Sequence, residues 1–142
     1  MTGARGGPTG DGVQRIIVDG MNVIGSRPTG WWRDRDRAKR NLIATLQDFA
    51  DASGARVTVV LDGRPLDDVP EGAHGAVDVL YAPRRGRDAA DDRIVELVEA
   101  DDEPAALVVI TSDRALRERV ELLGARVVGS STFLRRVEEH ST

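Results

Sequence analysis

IIVDGMNVIG, residues 16–25, runs apolar, breaks at Asp19-Gly20-Met21-Asn22 and turns apolar again. A β-branched run of this kind reads as a strand buried on both faces, and sheets covered by helices on both sides are where such runs occur. The break therefore sets a carboxylate and a carboxamide, Asp19 and Asn22, on the turn where a buried strand ends. Everything else in the chain bears on why they stand there.

Further apolar runs of strand length follow. Strands are expected over 14–19, 56–61, 76–81, 106–111 and 125–128. Between them the periodicity becomes helical: Leu42, Leu46 and Phe49 over 36–52, Ile94, Val95 and Val98 over 89–100, Leu116, Val120 and Leu123 over 114–123, and a short last helix over 131–139. Strands separated by helices imply right-handed crossovers and a three-layer α/β sandwich. In such folds ligands bind beyond the carboxyl ends of the strands, where the strand order switches.

Composition bounds the chemistry. With 142 residues the chain makes one domain over 14–142, and residues 1–13, rich in Gly, Thr and Pro, read as a flexible tail. GARGGPTGDG within that tail precedes the first strand and lacks a Gly-Lys-Ser/Thr ending, so it is no phosphate loop. There is no cysteine, and the two histidines, His74 and His140, are too scattered for a His-rich metal site, so any metal is held by oxygen. His74 falls in a Gly-rich loop and is expected to face solvent. No apolar leader or membrane-length run occurs, and a cytoplasmic protein is expected. The net charge of −4 argues against a globally basic nucleic-acid binder, yet Lys39 is the only lysine among 20 basic residues. The arginine excess has two readings, a GC-rich codon usage or a preference for bidentate phosphate contacts.

The expected strand ends carry acids. Strand one ends at Asp19, strand two at Asp62 and strand four at Thr111-Ser112-Asp113. Each has a structural reading as a turn former or helix cap, Asp113 above all. On the helix over 89–100, however, Asp91 falls between Ile94, Val95 and Val98 on the buried face, with Asp92 a quarter turn away. Asp88 as N-cap with Asp91 as capping-box partner explains one acid there but not a doubled pair. Carboxylates converging on one sheet edge repel, and several kcal/mol, to order of magnitude, must be offset by protonation or a cation. No lysine or histidine lies among these motifs, so the economical cation is Mg2+ or Mn2+, which prefers oxygen ligands and supports phosphoryl chemistry. Asn22 is expected to donate from its carboxamide to Asp19 or a phosphate while its oxygen positions water. Ser112 is expected to assist beside Asp113 or touch substrate.

Together DGMN at 19–22, ADDRIVEL at 90–97 and TSD at 111–113 resemble the NYN domain group of PIN-like ribonucleases, most closely its YacP-like branch. The resemblance spans nearly everything from Arg15 to Val137. It implies a PIN-like sandwich with a five-stranded parallel sheet of order 3-2-1-4-5 and a Mg2+- or Mn2+-dependent endoribonuclease. It also implies metal-binding roles for Asp19, Asp91 and Asp113, with Asn22 and Asp92 as further catalytic residues. Asp62 is similar to an aspartate ending the second strand of that branch, but an aromatic usually precedes it there and Leu61 does here, so no role is carried over. Met21 and Ala89 stand where an aromatic and a threonine are common. Asp48 is the nearest match to an acid in the long helix of the wider PIN family and is not carried over.

Two arginine-rich stretches fit a single-stranded RNA partner. GWWRDRDRAKR at 30–40 sets five basic residues against two aspartates beside two tryptophans, the chemistry of base stacking and phosphate contact, with Trp31 and Arg33 as candidates. Equally, one tryptophan can pack at the helix start while the charges form a solvated face. APRRGRD at 82–88 puts Arg84, Arg85 and Arg87 immediately before the acidic helix. Arg64 and Arg114 are weaker candidates. The alternative to a nuclease is a non-catalytic module of the same fold that docks on RNA or a ribosome. A phosphohydrolase needs an Asp-x-Asp nucleophile that DGMN does not supply, and a receiver-like domain needs a late lysine that this chain does not have.

Overall fold

The structure, a computed structural model, describes residues 14–27, 29–82 and 89–140. The expected tail over 1–13, the loop residues Arg84, Arg85 and Arg87, and Asp88 as a helix cap lie outside them. In chain order the elements are β1 (Arg15–Asp19), α1 (Gly20–Gly25), α2 (Arg35–Ser53), β2 (Arg56–Asp62), β3 (Gly72–His74), β4 (Val77–Ala82), α3 (Ala89–Ala100), β5 (Leu107–Ile110), α4 (Arg114–Leu122), β6 (Arg126–Val128) and α5 (Ser130–His140). A 3-10 turn at Trp31–Arg33 leads into α2, and another at Pro104–Ala106 leads into β5.

The strands form one sheet of order β3-β4-β2-β1-β5-β6. Its five parallel strands, β4-β2-β1-β5-β6, follow the anticipated 3-2-1-4-5 path. The sheet has six strands and not five, because β3 pairs antiparallel with β4. Gly72-Ala73-His74 has no apolar side chain large enough to announce a strand; it forms because Gly75, at φ 65°, opens a two-residue hairpin into Val77. His74 is accordingly half-buried in a strand instead of facing solvent in a loop, with its Nε2 2.6 Å from the Pro70 carbonyl oxygen.

Period-2 alternation divides the core. Ile16, Val18, Val57, Val59, Leu61, Val108 and Ile110 pack against α1, α2 and α5, where Phe49 and Phe133 meet edge to face at 5.3 Å. Ile17, Val60, Leu107 and Val109 face α3 and α4 through Ile94, Val98, Leu116 and Val120. Both faces are covered, which is why the strands read as unbroken apolar runs. The order switches between β1 and β5, so the crevice at their carboxyl ends is flanked by Asp19 and by Thr111-Ser112-Asp113.

The turn after β1 is a helix, α1. Gly20 makes it possible: a Cβ there would stand 2.5 Å from Leu61 Cδ2 and 2.9 Å from the Val60 carbonyl oxygen. Only glycine lets the chain start a helix pressed against β2 at once after leaving the sheet. Among the described residues no helix is long and apolar enough to cross a membrane.

Candidate active site

Asp19 is buried at the end of the central strand. The Thr111 hydroxyl donates to its Oδ2 at 2.8 Å across the β1–β5 crevice. Burial, first, and then the neighbouring carboxylates of Asp62 and Asp113 push its pKa up to about 6, against the pull of Thr111 and of the Asn22 N–H. That N–H is directed at the carboxylate without closing a capping hydrogen bond. Among the described residues no cationic side chain offsets the Asp19 charge.

Asp62 ends β2 half-buried, and its pKa is raised by desolvation against the opposing influence of Lys39. The Ala90 N–H faces its carboxylate, so the first turn of α3 sits over the end of β2. Its Oδ1 is buried with no hydrogen-bond partner among the described residues, a state that costs on the order of 1–3 kcal/mol. Lys39 is a residue that sequence reasoning missed. From α2 its side chain runs, buried, to the end of β2 and donates to the Asp62 carbonyl oxygen at 2.8 Å.

Asp113 behaves as the cap its position foretold: its Oδ1 accepts from the Leu116 N–H at 3.2 Å, and its own N–H donates to Thr111 Oγ1 at 3.1 Å. It nevertheless stands near enough to Asp19 to raise that carboxyl's pKa, so capping and membership of the acidic edge coexist. Asp91 is buried in the first turn of α3. Asp92 accepts from Arg119 of α4 at 3.0 Å and so ties α3 to α4. The three acids Asp19, Asp91 and Asp113 do not close into a ready-made cage: among the described residues no three such side chains come together closely enough to hold an ion by themselves.

The Asn22 side-chain oxygen does different work from that expected. Its Oδ1 accepts from the Ser112 N–H at 2.8 Å and from the Ser130 hydroxyl at 2.7 Å. Because a backbone N–H can only donate, the oxygen is committed to this contact and is not available to position water; the amide NH2 remains for another acceptor. Ser112 Oγ accepts in turn from the Ser130 N–H at 3.0 Å. This triangle fastens α1, the end of β5 and the start of α5 around the crevice. Ser130, fully buried, had no sequence signal beyond opening the last helix. Ser130→Ala removes one hydrogen bond and is expected to cost about 1–2 kcal/mol, read as a lowered urea midpoint with an unchanged slope.

Trp31 and Arg33 lie on the 3-10 turn before α2. Trp31 is half-buried and meets Trp32 edge to face at 6.3 Å, while Trp32 is 55% exposed. Each tryptophan carries an arginine, Arg35 5.5 Å from the Trp31 ring centre and Arg33 5.9 Å from that of Trp32. One indole thus packs, as expected of a tryptophan at the helix start, and the other faces water.

The residues present fit a hard divalent ion. The donors at the edge are anionic oxygens, and among the described residues one of them is orphaned and Asp19 has no cation opposite it. An open edge in place of a cage suits Mg2+, which keeps several waters and takes one or two carboxylates.

A family model described as YacP-like NYN domain matches residues 16–142. Among solved structures, Rae1 (YacP) from Bacillus subtilis superposes with a TM-score of 0.76 at 26% identity, covering 91% of this chain and 76% of that one. A mutant of the same Bacillus subtilis protein gives 0.73 at 26% identity, over 91% and 77%. No curated protein gives a significant sequence match.

Proposed function

Since the chain belongs to the YacP-like NYN domain family, we propose that it is a Mg2+- or Mn2+-dependent endoribonuclease that hydrolyses phosphodiester bonds in single-stranded RNA. A PIN-like, nuclease-type fold of this family supports an RNA-related function, and the cytoplasm is where such a substrate is met. The observation that carries the reading is Asp19, a buried carboxylate at the switch point whose pKa two further carboxylates help raise to about 6, with no cation opposite it among the described residues. A protein holds such a charge where a cation is to be received.

Of the carboxylates Asp19, Asp91 and Asp113, one or two would hold the ion directly, with water completing its shell and Asp62 close by. When bound, a divalent cation supplies Lewis acidity for water attack on a phosphodiester and charge to offset the leaving oxygen. The chain's own part is positional. Thr111 fixes Asp19 Oδ2, leaving the other oxygen directed by the start of α1. Asn22 keeps α1 and the β5 end at a constant separation, and its amide NH2 can donate to a phosphate oxygen. Asp92, through Arg119, holds α3 and α4 together, and those helices carry Asp91 and follow Asp113. Ser112 retains a hydroxyl proton to offer substrate.

Labelled single-stranded RNA incubated with the purified chain and Mn2+ is expected to be shortened, with cleavage lost in EDTA and restored by excess Mn2+. DNA of the same sequence tests the sugar preference. RNA that is bound and never shortened with any divalent ion would replace the enzyme by a binding module that docks on RNA or a ribosome.

A further inference from the structure

Beside the candidate active site, two cavities share Trp31 as a common wall. One, about 420 Å3, lies between the start of α2 and the loop after β2; its lining includes Met21 and Asp62, so it opens at the acidic edge. The other, about 560 Å3, lies between α1, α2 and α5. Both volumes fall in the range of ligand pockets, about 300–1,000 Å3. In a chain of net charge −4, their linings hold seven cationic against five anionic side chains.

The state of those cations matters more than their number. Arg40 is fastened to Asp68, and Arg27 pairs with Glu138 at 3.3 Å. Arg35 and Arg64 beside the first cavity, and Arg33 and Arg37 beside the second, are exposed and pair with no carboxylate among the described residues. Lys39, buried in the wall of the first cavity, uses one of its three donors on the Asp62 carbonyl oxygen. Guanidinium groups with no carboxylate partner among the described residues, set beside an indole, match a chain of alternating phosphates and flat bases better than a purely apolar ligand.

We propose that the two cavities form one track for single-stranded RNA, leading from the acidic edge over Lys39, past Trp31, and out along the outer face of α2. A base packs on the exposed part of the Trp31 indole, whose ring also carries Arg35. Arg64 and Arg35 meet the phosphates before it, and Arg37 and Arg33 those after it. The track rests on the RNA reading given above and extends it: it names a direction for the strand and residues on α2 and the β2 loop that the acidic motifs do not include.

The test is binding without cleavage. Anisotropy of a labelled twelve-nucleotide single-stranded RNA is titrated with the full chain in EDTA, from about 50 to 200 mM salt, for wild type, Arg37→Glu, Arg64→Glu, Trp31→Leu and Arg56→Glu. Arg56 is exposed at the opposite, amino edge of the sheet and serves as the control. Arg37→Glu and Arg64→Glu are each expected to weaken binding about tenfold and to flatten the salt dependence by about 0.7 in log-log slope per lost phosphate contact. Trp31→Leu is expected to weaken it about tenfold with the slope kept, and Arg56→Glu to match wild type. Should Trp31→Leu misfold by circular dichroism, the two surface variants still decide. Wild-type affinity in Arg37→Glu and Arg64→Glu would overturn the track. If Mn2+-dependent cleavage by the wild type persists, the nuclease reading survives that result. Loss of ribosome association in those variants with RNA affinity intact would also overturn the track, in favour of a protein-facing surface.

Discussion

Asp19→Asn is expected to bring RNA cleavage to background and, at the same time, to raise the melting temperature of the metal-free protein at pH 7.5. The two effects have one cause. In the folded chain the Asp19 carboxyl titrates at about 6 against an ordinary 3.8, because burial and the charges of Asp62 and Asp113 oppose its ionisation. The native state therefore binds the proton more tightly than the unfolded chain. Stability of the metal-free protein falls as pH rises between those values and stays lower above them, by about 3 kcal/mol at most. Asparagine removes the charge and most of the penalty while leaving an amide oxygen and NH2 for the neighbours of the carboxylate. A divalent ion achieves the same relief in the wild type, so Mn2+ is expected to raise its melting temperature at pH 7.5, less at pH 5, and hardly at all in Asp19→Asn. Loss of an ion-holding carboxylate is expected to slow cleavage by about three orders of magnitude or more. Undiminished cleavage by the variant would remove the enzymatic claim. A variant less stable than wild type at pH 7.5 would mean that Asp19 is not electrostatically strained.

Gly20→Ala is expected to be the most destabilising single-methyl change near the site, by about 2–4 kcal/mol, or a melting temperature lower by about 10 °C. Three atoms occupy the place of the new Cβ, and they differ in how they can give way. Leu61 Cδ2, at 2.5 Å, can rotate, although into a filled core; the Val59 methyl at 3.2 Å needs to yield only slightly. The Val60 carbonyl oxygen at 2.9 Å belongs to the backbone of β2, between β1 and β4, and cannot move without disturbing both ladders. The structure can relax by lifting α1 off the sheet, which draws Asn22 away from Ser112 and Ser130. Activity should consequently fall at temperatures where the variant is still folded. Differential scanning calorimetry and an activity assay at 20 °C check both halves; an unchanged melting temperature would show that β2 accommodates the methyl.

What was legible in the sequence follows from length and burial. Helix α3 begins and ends where its periodicity does, at Ala89 and Ala100, and α2, α4 and α5 differ by a residue or so at each end, because each turns an apolar stripe to the sheet. The five parallel strands announce themselves because both faces are covered. The two missed elements are short and lack that signature. Helix α1 has six residues, with glycine at both ends, and is held by packing and by the Asn22 anchor more than by propensity. Strand β3 has three residues, and its only cue was Gly75 at the turn.

The site divides in the same way. Acids at strand ends were visible because a carboxylate interrupting a β-branched run is conspicuous. Their supports were not: Thr111, Ser130 and Lys39 are ordinary residues in ordinary places until the fold brings partners 92, 108 and 23 positions away in the chain into contact. For Asn22 the expected task of its oxygen, positioning water, gives way to a structural one. Nothing local reveals that its oxygen meets a backbone N–H 90 residues further on.

The two outermost strands, β3 and β6, are only three residues long. A sheet this apolar, had it ended on long flat flanks, would offer neighbouring molecules a row of unsatisfied amides and carbonyls to extend. Here each margin presents barely one repeat, with Gly72 weakening one and Arg126 charging the other. The described edge strands accordingly offer little template for growth by strand addition, and the purified chain is expected to stay free of fibres, as thioflavin fluorescence of a concentrated sample checks.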